Sequence, residues 1–418
     1  MAPPKTRNFS VNVVFPASGC EIIAKVRRRE TSIFKSTIIY PYLPVSYKLS
    51  IDICQCEQKK CGYRTFKNFD IQSGANFGDN QLLRPGTNNL ITDISGIFVG
   101  NSHDEQLRSG VTVIMPNSSC VASIDIRGGG TGTRDTELLS TDGTVERIDG
   151  IVLSGGSAFG LDAAGGVMHH LQKAGKGLPI KDIRVPIVPQ AILFDLLNGG
   201  DKNWADTPPY WQLGYEAASN PKKKFKLGNN GAGFGAIAGN IKGGLGSASI
   251  YLPSLNITIG AIAAVNSAGS VLIPGSKAFY AWDMELGNEF GGIAAPENFD
   301  KSMVEIPKHS SLHENTTLAV VATDAKLTKS ETRRLAMIAQ NGVSRAIRPS
   351  STPLDGDIVF AISTGKQDIK EKVRNLGTLG AHASNCLARS IARAVYEAET
   401  LGEIVSYRDF CDNNQNQQ

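Results

Sequence analysis

The stretch His313-Glu314-Asn315-Thr316-Thr317-Leu318-Ala319-Val320-Val321 decides the reading of this chain. A polar run meets two threonines and passes directly into an apolar, β-branched segment that predicts a buried strand. Thr316 therefore stands at the head of a rigid element. A threonine hydroxyl is a poor nucleophile unless a base sits beside it, and one compact base is the residue's own α-amine, freed by cutting the preceding peptide bond. Such an amine titrates near ~8, close enough to neutrality to accept a proton. The same hydroxyl would make the cut, attacking the carbonyl of Asn315 to give an ester that water resolves. A plainer reading fits the same residues: threonines open strands because β-branched side chains suit them, and Asn315-Thr316-Thr317 also matches a glycosylation acceptor. The stretch by itself leaves both readings open.

Outward from it, further apolar runs predict strands at 111–114, 148–153, 257–265 and 358–362, alongside 317–322 itself. Helical stretches lie between them. Over 159–171, Leu161, Ala164, Val167, Met168 and Leu171 fall on one face. Thr328-Lys329-Ser330-Glu331 is a capping box that opens a second helix, and a third occupies much of 369–399. Alternating buried strands and amphipathic helices predict an α/β protein with helix packed over sheet, as one domain from residue 86 to residue 418.

Residues 1–85 differ in character, with the basic run Lys25-Val26-Arg27-Arg28-Arg29 and no sustained periodicity, and read as an appended segment. Its Cys54, Cys56 and Cys61 lack the paired spacing and the histidine of a zinc site, so they read as free thiols and no metal is expected. Across the 418 residues, 43 basic and 39 acidic side chains leave a net charge of +4. That balance offers no concentrated positive field and argues against a nucleic-acid partner. The early apolar run Val11-Asn12-Val13-Val14-Phe15 is too short for an export signal or a membrane span, and the seven cysteines are an odd, scattered set. The expectation is a cytoplasmic protein without a structural disulfide and without a membrane partner.

Glycine is concentrated in Arg127-Gly128-Gly129-Gly130-Thr131-Gly132, Ser154-Gly155-Gly156-Ser157, Gly231-Ala232-Gly233-Phe234-Gly235 and Lys242-Gly243-Gly244-Leu245-Gly246. None ends as a P-loop does, and none carries the full dinucleotide fingerprint. They read as places where backbone closes on backbone around a narrow, preformed cleft.

These motifs occur in an order that is itself informative. The stretch from Asn88 to about Ile404 resembles the DmpA family of self-processing peptidases, which includes L-aminopeptidase/D-esterases, β-peptidyl aminopeptidases and nylon-oligomer hydrolases. The resemblance rests on Asn89-Leu90-Ile91-Thr92-Asp93-Ile94-Ser95-Gly96-Ile97, Gly130-Thr131-Gly132-Thr133-Arg134-Asp135-Thr136-Glu137-Leu138-Leu139, and Leu153-Ser154-Gly155-Gly156-Ser157-Ala158-Phe159-Gly160-Leu161-Asp162. Pro186-Ile187-Val188-Pro189, Gly231-Ala232-Gly233, Asn315-Thr316-Thr317 and Asp355-Gly356-Asp357 follow in turn.

The resemblance implies an αββα sandwich of the kind shared with the ornithine acetyltransferases, made as a precursor that cuts itself. Carried over residue by residue, it makes Thr316 the nucleophile and Asn315-Thr316 the processing bond, giving chains 1–315 and 316–418. It makes Asn266 an amide donor to the oxyanion, a role whose loss typically costs ~3–4 kcal/mol of barrier. Without the resemblance Asn266 reads rather as a turn residue after a strand, since asparagine is a common turn former. Asp355 and Asp357 match positions that orient the new amine, and two carboxylates there also offer a counter-charge for a substrate ammonium. A plain aspartate-glycine turn is the other reading of that pair.

Two departures stand out. Phe159, assigned to the substrate-binding wall, replaces a tyrosine that assists the oxyanion in some members, and it cannot donate a hydrogen bond. A lysine found after the Gly-Ala-Gly segment in some members aligns with Asn240 or with Lys242, of which Lys242 is the candidate.

The implied activity is hydrolysis of an amide bond beside a free amino group, in a small peptide or amino-acid amide, without cofactor, by a homo-oligomer such as a tetramer. An acyltransferase of the ornithine acetyltransferase type is a rival, but that family usually carries methionine-alanine-threonine where this chain has Glu314-Asn315-Thr316. An inactive binding homologue is a third reading.

Overall fold

A computed structural model describes residues 83–299 and 315–413. All of them lie in one unit that begins at Gln81. The segment expected to be appended, with Cys54, Cys56 and Cys61, falls outside the described residues except at its end, where Arg84 pairs with Tyr251.

The strand Thr316–Ala325 shows how sequence becomes layer. Side chains alternate across a strand, so Leu318, Val320 and Ala322 enter one core while Ala319 and Val321 enter another. Burying each valine or leucine on a face like this contributes roughly 1.5–3 kcal/mol, and the two faces together fix the register. The strand is third in a six-stranded sheet ordered Gly244–Leu252, Ile257–Asn266, Thr316–Ala325, Ile358–Gln367, Cys120–Ile126 and Arg147–Ile148. It runs antiparallel to Ile257–Asn266 and parallel to Ile358–Gln367. A second sheet of five strands is ordered Ile97–Asp104, Ser109–Pro116, Ile151–Ser154, Gln190–Ile192 and Thr133–Arg134.

Three apolar cores define the layering. One lies between the two sheets, joining Ile114, Ile151 and Leu153 to Ile262, Val320 and Phe360. Another packs the six-stranded sheet against the helices Lys329–Ala339, Asn341–Ala346 and Lys372–Tyr396. The third packs the five-stranded sheet against Ala163–Lys173 and Tyr210–Ser219. The order helix, sheet, sheet, helix is the αββα sandwich.

Glycine makes the layers close. A Cβ on Gly246 would sit 1.9 Å from the carbonyl of Ser390 on the long helix, and one on Gly100 would sit 1.8 Å from that of Ala217. The capping box at Thr328 forms as expected, with hydroxyl and carboxylate each satisfying the other's backbone N–H.

Two expected elements change. The run 148–153 is two strands in different sheets: Ile148 pairs with Cys120, and Ile151 onward pairs with Ser109–Pro116. Asp149 and Gly150 carry the chain across, and Asp149 exchanges hydrogen bonds with Ile187 through both its backbone and its carboxylate. The helix expected over 159–171 starts as the 3₁₀ segment Ser157–Asp162 and becomes α-helical only at Ala163. The buried Gln190 amide clamps that transition, accepting from Ala164 N and donating to Gly160 O.

Among the described residues, Cys120, Cys386 and Cys411 are free thiols, and no helix is long and apolar enough to cross a membrane.

Candidate active site

Thr316 and Asn266 are direct partners across two antiparallel strands, so their side chains share the face turned toward the other sheet. On that face a cavity of about 260 Å³ opens between the layers, with Thr316 in its wall beside Gly130, Ser157, Leu161, Ile192 and Phe194. The apolar members shape the space.

The bond before Thr316 is held from two sides. The Thr316 hydroxyl donates to the carbonyl oxygen of Asn315 at 2.6 Å. The Gly356 N–H donates to the same oxygen at 2.8 Å. Gly356 is essential to this approach, because a Cβ there would sit 2.6 Å from Thr316 Oγ1 and 2.7 Å from Gly130 O. Its place between two aspartates draws attention to the carboxylates; the donor that reaches the Asn315 carbonyl is the backbone between them.

Asp355 and Asp357 are both buried. Asp355 accepts from Ala268 N, Thr352 N and the Thr352 hydroxyl. Asp357 accepts from Thr317 N at 2.9 Å and from the backbone and hydroxyl of Ser351. The pair thus ties the head of the Thr316 strand and the chain after Asn266 to one loop. Burial, and then the Asp355 carboxylate beside it, push the Asp357 carboxyl above the usual carboxylate range. Arg127, Gly128 and Gly130 donate backbone N–H groups to the carbonyls of this same segment, which is why the first glycine-rich motif lies against it.

Asn266 is fixed at both ends of its amide. Its Nδ2 donates to Phe194 O at 2.8 Å, and its Oδ1 accepts from Ile237 N at 2.9 Å. Lys242 reaches this arrangement indirectly. Wholly buried, its ammonium donates to the carbonyls of Gly233, Ala236 and Gly243. The peptide group between Ala236 and Ile237 therefore accepts from Lys242 on one side and donates to Asn266 on the other. Burial pushes the Lys242 ammonium down to about 7, while three carbonyls match the three N–H donors of its charged form.

Of the site residues singled out from sequence only Thr316 lines the cavity, and Phe159, expected to bind substrate, does not. It is 48% exposed and packs edge-on against Trp204, while its neighbours Ser157, Ala158 and Leu161 form the wall. The 3₁₀ turn, in place of the expected helix, rotates Phe159 outward. Among the described residues no group of three or more histidine, cysteine, aspartate or glutamate side chains converges to hold a metal ion.

The four-layer αββα fold thus carries a threonine at a strand head, paired with an asparagine on the neighbouring strand, at the wall of a narrow cavity. The chain belongs to Peptidase family S58, which it matches over residues 89–406. An uncharacterised aminopeptidase of Mycobacterium bovis is 38% identical over 342 residues, covering 77% of this chain and 97% of the relative. A 6-aminohexanoate-oligomer endohydrolase of a Kocuria species is 25% identical over 297 residues, covering 68% and 77%. In fold, a β-aminopeptidase of a Burkholderia species superposes with a TM-score of 0.57 at 20% identity, covering 80% of this chain and 96% of the other. The L-aminopeptidase D-Ala-esterase/amidase of Ochrobactrum anthropi, described as a variant of the Ntn hydrolase fold, gives 0.57 at 19% identity, covering 80% and 95%.

Proposed function

We propose that this hydrolase cuts itself between Asn315 and Thr316 and then uses Thr316 to hydrolyse amide bonds beside a free amino group, in small peptides or amino-acid amides. The observation that carries the reading is the double hold on the Asn315 carbonyl by the Thr316 hydroxyl and the Gly356 N–H. In the first reaction the Thr316 oxygen attacks the Asn315 carbonyl carbon. Its proton passes to the Thr316 nitrogen, the C–N bond breaks and an ester forms. The Gly356 N–H stabilises charge as it grows on the carbonyl oxygen. Water then cleaves the ester, leaving a carboxylate on Asn315 and a free amine on Thr316.

In the second reaction that amine takes the hydroxyl proton as Thr316 attacks a substrate amide. Asn266, opposite Thr316, donates to the oxyanion, and water releases the acyl group. Lys242 acts through the Ala236–Ile237 peptide to hold Asn266. The two chains stay together as a protomer of a cytoplasmic homo-oligomer. Support comes from the family and from the convergence of Thr316, Asn266 and the Asp355–Asp357 segment.

Intact mass of the purified protein, beside Thr316→Ala, tests the first step, and the p-nitroanilides of L-alanine and β-alanine with linear 6-aminohexanoate oligomers test the second. The expected result is two chains, the smaller beginning at Thr316, and release of amine only from the wild type. A wild type that stays whole sinks the self-processing step. Transfer of the acyl group to an added amine in preference to water would move the assignment to an acyltransferase.

A further inference from the structure

The Ser154-Gly155-Gly156-Ser157 turn is joined to the chain after Ile192 by three hydrogen bonds. Two are between backbones: Leu193 N donates to Ser154 O, and Ser157 N donates to Leu193 O, each at 2.9 Å. The third comes from a side chain, with Gly156 N donating to Asp195 Oδ1 at 2.7 Å. The turn needs this clasp. Gly156 has φ +83° and Ser157 has φ +51°, a conformation that a residue with a Cβ holds only when its surroundings enforce it. Nor can the turn shift inward, since a Cβ on Gly156 would lie 2.0 Å from the ring of Tyr210.

Both ends of the clasp reach the cavity. Ser157 lines it, as does Phe194, whose carbonyl holds the Asn266 amide. We propose that Asp195 is a positioning residue for the reaction at Thr316, using the Gly156 amide to keep Ser157 in the substrate-facing wall. The inference rests on the amide-hydrolase reading above.

Asp195 is an unusual choice for a purely structural acceptor. It is buried, and its Oδ2 forms no hydrogen bond, although that oxygen and the Ser109 hydroxyl would each lie 2.3 Å from a Cβ on Gly155. Burial pushes its carboxyl up to about 6, the Ser109 hydroxyl, the Gly156 N–H and the Lys202 ammonium offsetting only part of that effect. A carboxyl kept in so costly a place acts on what it touches, and its 2.7 Å hydrogen bond is to the strained turn.

The test compares Asp195→Ala and Asp195→Asn with wild type on whichever of the named amides the wild type hydrolyses, together with self-cleavage by intact mass. Self-cleavage uses no atom of the clasp, so Asp195→Ala should process normally while its KM rises about ten-fold with kcat nearly unchanged. Asp195→Asn keeps an oxygen for the Gly156 N–H and should return KM to near the wild-type value. An unchanged KM in Asp195→Ala, an Asp195→Asn no better than alanine, or a parallel loss of processing and kcat would each overturn the proposal. Should Asp195→Ala fail to fold, Ser157→Gly takes its place: a raised KM with normal processing supports the proposal, and an unchanged KM overturns it. A wild type inactive on every amide removes the hydrolase reading and this inference together, an outcome visible before any variant is compared.

Discussion

Thr316 and Asn266 occupy opposing positions at the ends of neighbouring antiparallel strands, so the sheet itself sets the distance between the threonine hydroxyl and the asparagine amide. Asn266→Ala should lower kcat by about 10²–10³-fold, the usual cost of removing one oxyanion donor, with little change in KM. Steady-state kinetics on the preferred amide would check it. An equal loss confined to KM would assign Asn266 to substrate binding instead.

Gly356→Ala should slow self-cleavage at least about ten-fold, because the added methyl displaces both the Thr316 hydroxyl and the N–H that polarises the Asn315 carbonyl. The rate of appearance of the smaller chain after synthesis measures this. Processing at the wild-type rate would show that the Gly356 donor does not contribute.

Lys242→Met removes the ammonium donor from three buried carbonyls, of which Ala236 O keeps Gly243 N and Gly233 O keeps Ala236 N, so the variant should lose about 1–3 kcal/mol of stability. Because the Ala236–Ile237 peptide also holds Asn266 Oδ1, kcat should fall more than KM rises. Denaturant unfolding with parallel kinetics reads both effects. A destabilised variant with full kcat would limit Lys242 to the core.

The Asp195 carboxyl gives a pH-dependent stability whose sign can be worked out. Its folded value of about 6 lies above the ordinary 3.8, so between these pH values the folded state holds more protons than the unfolded chain. Its contribution is therefore full below pH 3.8, falls as pH rises toward 6, and is lost above it. Two pH units correspond to about 3 kcal/mol, so Asp195→Asn should match the wild type near pH 4 and exceed it by up to that amount near pH 8. Urea unfolding in a Thr316→Ala background, which keeps one chain, makes the comparison. A constant difference across the range would show that Asp195 does not titrate differently on folding.

Much of this was legible because the decisive signals are local. The strand at Thr316 announced itself through alternation, and the helix at Thr328 through its capping box. What sequence could not supply were relationships made by distant segments. The run 148–153 is uniformly apolar, and nothing within it says that Asp149 and Gly150 carry the chain from one sheet to the other. Position in a motif puts Phe159 beside substrate, whereas the residue sits exposed on a 3₁₀ turn clamped by Gln190. Gly356 and Asp195 escaped notice for different reasons. The first acts through its backbone, which has no letter in the sequence, and the second acts on a turn nearly forty residues earlier.

The sheet order carries one more consequence. Chain ends usually lie at the periphery of a fold, where they fray. A cut before Thr316 would instead create an amino terminus in the middle of a six-stranded sheet, with the Asn266 strand on one flank and the segment leading into Ile358–Gln367 on the other. Such an end has no freedom to lose when substrate arrives. If the hold of Gly356 on the Asn315 carbonyl is what permits the cut, the sheet would have to assemble before the bond broke, and the cut would be a record that folding had finished.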